Sequence, residues 1–64
     1  PLGRSELTEL QSVLTDLGYN AGASDGIIGP DTVRAVMQAQ NGLGIEPDGY
    51  PDLELLARLK TLKD

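Results

Sequence analysis

Two helix-like runs of this chain end in the same pair of residues, Leu17-Gly18 and Leu43-Gly44, and each is followed by an Asp-Gly pair, Asp25-Gly26 and Asp48-Gly49, ahead of the next run. The order of parts repeats while the second connection is shorter. A chain of 64 residues that says the same phrase twice has room for three short helices joined by two similar turns and for little else. Domains this small bury barely enough apolar surface to offset their conformational entropy, so modest stability is expected.

The apolar spacing supports that reading. Leu7, Leu10, Val13, Leu14 and Leu17 recur three and four residues apart, with Glu6, Glu9, Gln11, Ser12 and Asp16 on the other side, which predicts one amphipathic helix. Ser5 is the expected N-cap, and Gly18 stands where a left-handed stop belongs. Residues 20–29 contain three glycines, a serine and an aspartate and read as a loop, with Ile27 and Ile28 expected to pin it to the core. Pro30 suits the first turn of a second helix, because its missing N–H would be unbonded there in any case, and Gly29 is its expected cap. Val33, Val36, Met37 and Gln40 keep the helical spacing, with Met37 read as core filler, Ala35 and Ala39 allowing close approach, and Leu43 and Ile45 turning inward after the helix. Pro51 and Asp52 are expected to open a third helix in the same way, with Leu53, Leu55, Leu56, Leu59 and Leu62 as its apolar stripe. The fold class is therefore all-α, a small three-helix bundle with two Asp-Gly turns. Residues 1–4 lack periodicity and read as a linker or expression scar outside the fold, leaving residues 5–64 as the domain.

Composition excludes several function classes. Ten acidic residues against five basic ones give a net charge of −5, which opposes binding by phosphate neutralisation. With no Cys and no His, thiolate and imidazole catalysis and the usual zinc sets are absent. Paired Asp-Gly turns between helices suggest calcium loops, but aligning Asp25-Gly26 to such a loop places Ala21, Ala23 and Thr32 at ligand positions, and aligning Asp48-Gly49 places Gly44, Glu46 and Leu55 there. Neither set holds calcium, and no cofactor or metal is expected. Two carboxylates alone do not make a glycosidase, which needs a cleft and a buried, pKa-shifted acid. No catalytic residue is assigned.

Taken together, Leu10-Gln11, Leu14, Leu17-Gly18-Tyr19, Asp25-Gly26-Ile27-Ile28-Gly29-Pro30, Thr32, Ala35-Val36, Gln40, Gly44-Ile45 and Asp48-Gly49 resemble the bacterial peptidoglycan-binding domain family over residues 5–62. The shortened ending is most like the domains at the C-terminus of lytic murein transglycosylases. Two departures stand out: Ala39 occupies a position where the family usually has Phe, and Tyr50-Pro51 replaces a longer turn. The resemblance implies a non-catalytic wall-binding module that anchors a larger envelope protein, such as a murein hydrolase, in the periplasm or cell envelope. It implies peptidoglycan, as glycan strand or stem peptide, as the partner, with the parent catalytic domain as a further one, and neither nucleic acid nor membrane insertion. The alternative is a protein-docking module that keeps the fold without binding the wall.

Candidate ligand-binding residues are Tyr19, Asp25, Gly26, Ile28, Gly29, Gln40, Asp48 and Tyr50. Asp25 and Asp48 offer acceptors, Gly26 and Gly29 allow backbone approach, Gln40 both donates and accepts, and Tyr19 and Tyr50 offer apolar faces. Each has a plainer reading: the aspartates as turn formers, the tyrosines as packing, the glycines as conformational necessities, and Gln40, like Gln11, as a helix residue that caps, cross-links or faces water.

Overall fold

The computed structural model describes residues 2–63 and contains three helices among them: α1 (Arg4–Asp16), α2 (Pro30–Gly42) and α3 (Leu53–Lys63). The all-α three-helix fold class follows directly. α1 is the central element, packing against both α2 and α3. Leu7, Leu10, Val13 and Leu14 from α1, Ala35, Val36 and Ala39 from α2, and Leu55, Leu56 and Leu59 from α3 close one core, with Ala21 of the first loop beneath them. Ala39, at the position that lacks an aromatic, is buried in this core.

Both copies of the Leu-Gly stop are Schellman motifs. The N–H of Tyr19 bonds to the Leu14 carbonyl at 2.8 Å and that of Gly18 to Thr15 at 3.0 Å, while Ile45 bonds to Gln40 and Gly44 to Asn41, both at 3.1 Å. Gly18 and Gly44 take φ of 99° and 77°, the left-handed geometry such a stop requires. Tyr19 and Ile45 follow as the partly buried apolar residues that fold back on the core.

The helix starts differ from expectation in two places. α1 begins at Arg4 with Gly3 as its N-cap, not at Ser5. Glu6 accepts the Gly3 N–H through Oε1 at 2.7 Å and Leu7 donates to the Gly3 carbonyl at 2.9 Å, so the carboxylate three residues on supplies the cap. Leu2 packs against the core, so residues 2–4 take part in the fold, whereas Pro1 lies outside the described residues. In α3 the start belongs to Asp52, whose Oδ1 accepts the Leu55 N–H at 2.8 Å, and buried Pro51 precedes that cap rather than occupying the first turn as Pro30 does in α2.

The side chains that face outward are the other correction. Ile27, Ile28, Met37, Leu53 and Leu62 are exposed, although all five were expected inward. Three helices of 11 to 13 residues leave α3 a single buried seam, Leu55, Leu56 and Leu59, and among the described residues no fourth helix covers Leu53 or Leu62. Met37 lies against the second turn, where with Val33 it packs on Gly49. Half-exposed ion pairs Lys60–Glu9 at 3.0 Å and Lys63–Asp16 at 2.7 Å tie α3 to α1; pairs of this exposure contribute little to stability.

Candidate functional site

The loop that Ile27 and Ile28 do not pin is held by a polar clamp from Gln11. This residue is fully buried in α1, and its Oε1 accepts the Gly26 N–H at 2.8 Å. Its Nε2 donates to the Ile27 carbonyl at 3.0 Å and to Thr32 Oγ1 at 2.9 Å. Thr32, in the first turn of α2, passes the chain on by donating to the Ala21 carbonyl at 3.1 Å. One amide thus ties both sides of the first loop to α1 and α2. Burying it is tolerable because both its donor and its acceptor groups are used, and among the described residues no buried side-chain polar atom lacks a partner.

Gln40 does the same for the second turn. Its Oε1 accepts the Gly49 N–H at 2.9 Å, and its Nε2 donates to Asp48 Oδ1 at 2.8 Å, with a longer contact of 3.5 Å to the Tyr50 carbonyl. In each copy the aspartate then accepts the N–H two residues on: Ile27 to Asp25 Oδ1 and Tyr50 to Asp48 Oδ1, both at 2.9 Å. The bonded Gly and Gln are 15 residues apart in the first copy and 9 in the second. Gln40 stands in the last turn of its helix and Gln11 one turn further back, so the clamp moves along the helix as the connection shortens. Gln11 is the residue that the list of candidates lacked. The signal for it is present in the chain: a glutamine lies in the helix before each Asp-Gly.

The eight candidates do not form one site. Gly26, Gln40 and Asp48 serve the clamps, and the open side of Gly26 is filled by Arg4 and Thr8 of α1, so no ligand reaches it there. Tyr19 is half-buried, with its hydroxyl close against Gly42 at the end of α2. Asp25 and Gly29 share a shallow cleft of about 170 Å³ with Ala21, Gly22, Pro30 and Asp31. Asp31 is paired with Arg34 at 3.2 Å. Ile28 and Tyr50, one from each turn, meet instead in a second groove of about 100 Å³, completed by Leu2, Leu7 and Pro51. Among the described residues no cluster of acidic residues is arranged to hold a metal ion, and none of their helices is long and apolar enough to cross a membrane.

The Asp48 carboxyl is held below its ordinary value of 3.8, first by the Tyr50 N–H and second by the Gln40 amide. A depressed folded-state pKa contributes stability above the unfolded value, and that contribution is lost as pH falls through the folded one. The second turn is therefore expected to weaken below about pH 3.8. Asp48→Asn keeps an Oδ1 acceptor without the titration. Urea unfolding from pH 5 to pH 2 is expected to show a steeper acid loss in the parent than in this variant; parallel curves would remove Asp48 from the account.

Residues 3–59 match the family described as peptidoglycan binding domain. Among solved structures, SltB3 from Pseudomonas aeruginosa, determined in complex with NAG-anhNAM-pentapeptide, is similar with a TM-score of 0.91 and 47% identity, over 94% of this chain and 16% of that one. An OpcA protein of Synechocystis sp., named for the OxPP cycle, is 39% identical over 56 residues, which are 88% of this chain and 12% of the relative. The chain thus spans only a small part of either relative's length.

Proposed function

This chain belongs to the peptidoglycan binding domain family, and from that premise we propose that it is a non-catalytic module that holds a larger envelope protein on peptidoglycan. The observation that carries the reading is the extent of the match, which runs across all three helices and both clamped turns rather than one motif. The parent is proposed to be a wall hydrolase of the lytic transglycosylase kind, acting in the periplasm or cell envelope. Its catalytic domain supplies the chemistry while this module raises the local concentration of enzyme at an insoluble substrate.

Ligand contact falls to Asp25, Gly29, Ile28 and Tyr50, which border open grooves. Gly26, Gln40 and Asp48 act by fixing the two Asp-Gly turns, and Tyr19 by packing the start of the first loop against the end of α2. Grooves of this size lie well below the roughly 300–1,000 Å³ of pockets that enclose small ligands. Binding is therefore a shallow surface contact, and an acidic module on an anionic wall gains no long-range attraction.

Co-sedimentation with purified sacculi tests the reading. Retention above a bead control at low salt is expected, and with few charge contacts it should persist as salt is raised. No retention would overturn it. Retention by a protein partner alone would replace it with the docking alternative.

A further inference from the structure

Each turn depends on an aspartate and a glycine that are not readily exchanged for other residues. The aspartate accepts the N–H two residues on, at 2.9 Å in both copies. The glycine takes a φ of 76° in both, left-handed geometry that a Cβ disfavours. Asp followed by Gly is also the pair in which a backbone most readily reacts with its own side chain, because glycine places no side chain in the way of ring closure. The glycine nitrogen attacks Cγ of the protonated carboxyl. An N–Cγ bond forms and a Cγ–O bond breaks, the amide proton and the carboxyl hydroxyl leaving as water, and a succinimide results. Water then opens the ring at either carbonyl. Opening at Cγ restores aspartate, whereas opening at the main-chain carbonyl leaves isoaspartate, with the backbone rerouted through the side chain and no net change in mass.

Both aspartates are exposed, and both glycines lie outside the helices, so neither N–H is taken by a helical carbonyl. Each is taken by a glutamine instead, Gly26 by Gln11 Oε1 at 2.8 Å and Gly49 by Gln40 Oε1 at 2.9 Å. These glutamines are 0% and 4% exposed, and a bond to so buried an acceptor must open before solvent can remove the proton. In the second copy the same glutamine also donates to Asp48 Oδ1 at 2.8 Å. There the Tyr50 N–H and, after it, this amide favour the carboxylate over the protonated acid that reacts. A third pair prone to the same ring closure, Asn41-Gly42, closes α2, where helix geometry supplies the acceptor for the glycine N–H.

We infer that Gln11 and Gln40 protect the two Asp-Gly turns chemically, each holding the glycine nitrogen whose attack would convert Asp25 or Asp48 to isoaspartate. This role stands beside the stability that the clamps give and holds whatever the module binds.

The test is to age the parent, Gln11→Leu and Leu59→Ala at mildly acidic pH and body temperature, and to map isoaspartate at Asp25 and Asp48 by fragmentation mass spectrometry. Leu59 is fully buried in α3, so Leu59→Ala lowers global stability while leaving both glutamines in place. In Gln11→Leu, isoaspartate at Asp25 is expected to gain on that at Asp48 several-fold relative to the parent; in Leu59→Ala the two should rise by the same factor. An equal rise at both aspartates in Gln11→Leu would overturn the protective role, since unfolding alone then accounts for it. The parent supplies a second reading if Gln11→Leu does not fold. Isoaspartate formation at each aspartate should be slowed, relative to peptides spanning residues 20–30 and 44–54, at least as much as hydrogen exchange is slowed at the glycine that follows. A Gly26 or Gly49 N–H protected from exchange while its aspartate ages at the peptide's rate would overturn the role as well.

Discussion

Replacing Gln11 by leucine is expected to lower the stability of this domain by about 2–4 kcal/mol, because each buried polar group left without a partner costs roughly 1–3 kcal/mol. Leucine fills much of the same space, so the loss is mainly that of the clamp and not of a cavity. Three partners are affected unequally. The Gly26 N–H and the Ile27 carbonyl lose the amide outright, although both are near enough to the surface for water to replace part of the bond. Thr32 keeps the Ala21 carbonyl as its acceptor and loses only the bond it receives. A chain of 64 residues has a total stability of about 3–10 kcal/mol at ordinary values per residue, so the change removes a large share of it. Urea unfolding followed by far-ultraviolet circular dichroism measures the loss. Amide exchange gives a second, local readout: protection at Gly26 should collapse, while Gly49, clamped by Gln40, should change no more than global stability does. A loss under about 1 kcal/mol would mean that the first loop stands without its clamp.

Gly26→Ala is expected to cost a similar amount, about 2–5 kcal/mol, from two additive sources. Its φ of 76° lies in the left-handed region, which costs a residue with a Cβ roughly 1–2 kcal/mol. A Cβ there would also press on the Arg4 side chain and lie 2.7 Å from Thr8 Oγ1 and 2.9 Å from the Arg4 carbonyl oxygen. Thr8 already donates to that same carbonyl at 2.9 Å, so neither atom moves without disturbing the first turn of α1, and overpacking of this kind costs roughly 1–3 kcal/mol. Gly18→Ala separates the two sources: φ there is 99° but nothing lies within 4 Å of the added atom, so only the conformational cost of about 1–2 kcal/mol is expected. Thermal unfolding of both variants beside the parent provides the comparison. Equal losses at the two positions would show that the contact with α1 is easily relieved.

Much of the fold is legible along the chain. The leucine spacing of α1, the Pro30 start of α2 and the two Leu-Gly stops appear where the spacing predicts them. The errors share a cause. Met37, Leu53 and Leu62 are expected inward because apolar side chains at regular intervals ordinarily mark a buried face, and Ile27 and Ile28 because they are the strongly apolar residues of a glycine-rich loop. In a bundle of three short helices the core is filled before those residues are reached, and the space beneath the first loop is taken by a glutamine. The α1 start was displaced from Ser5 because Glu6 caps Gly3 instead. For the candidate site, the chain directs attention to both Asp-Gly turns. It does not separate Gly26, Gln40 and Asp48, which hold those turns, from Ile28 and Tyr50, which the turns expose.

By itself the sequence determined the three helices, the glycine stops of α1 and α2 and the two aspartate turns, because these depend on bonds between residues no more than about five apart. Only the tertiary structure decided that Gln11 meets Gly26 across 15 residues and Gln40 meets Gly49 across 9, and that Ile28 and Tyr50 share one groove. The physical reason is distance along the chain: a buried amide finds its partners only once helix packing has brought the loop to it, and periodicity in sequence carries no record of that approach.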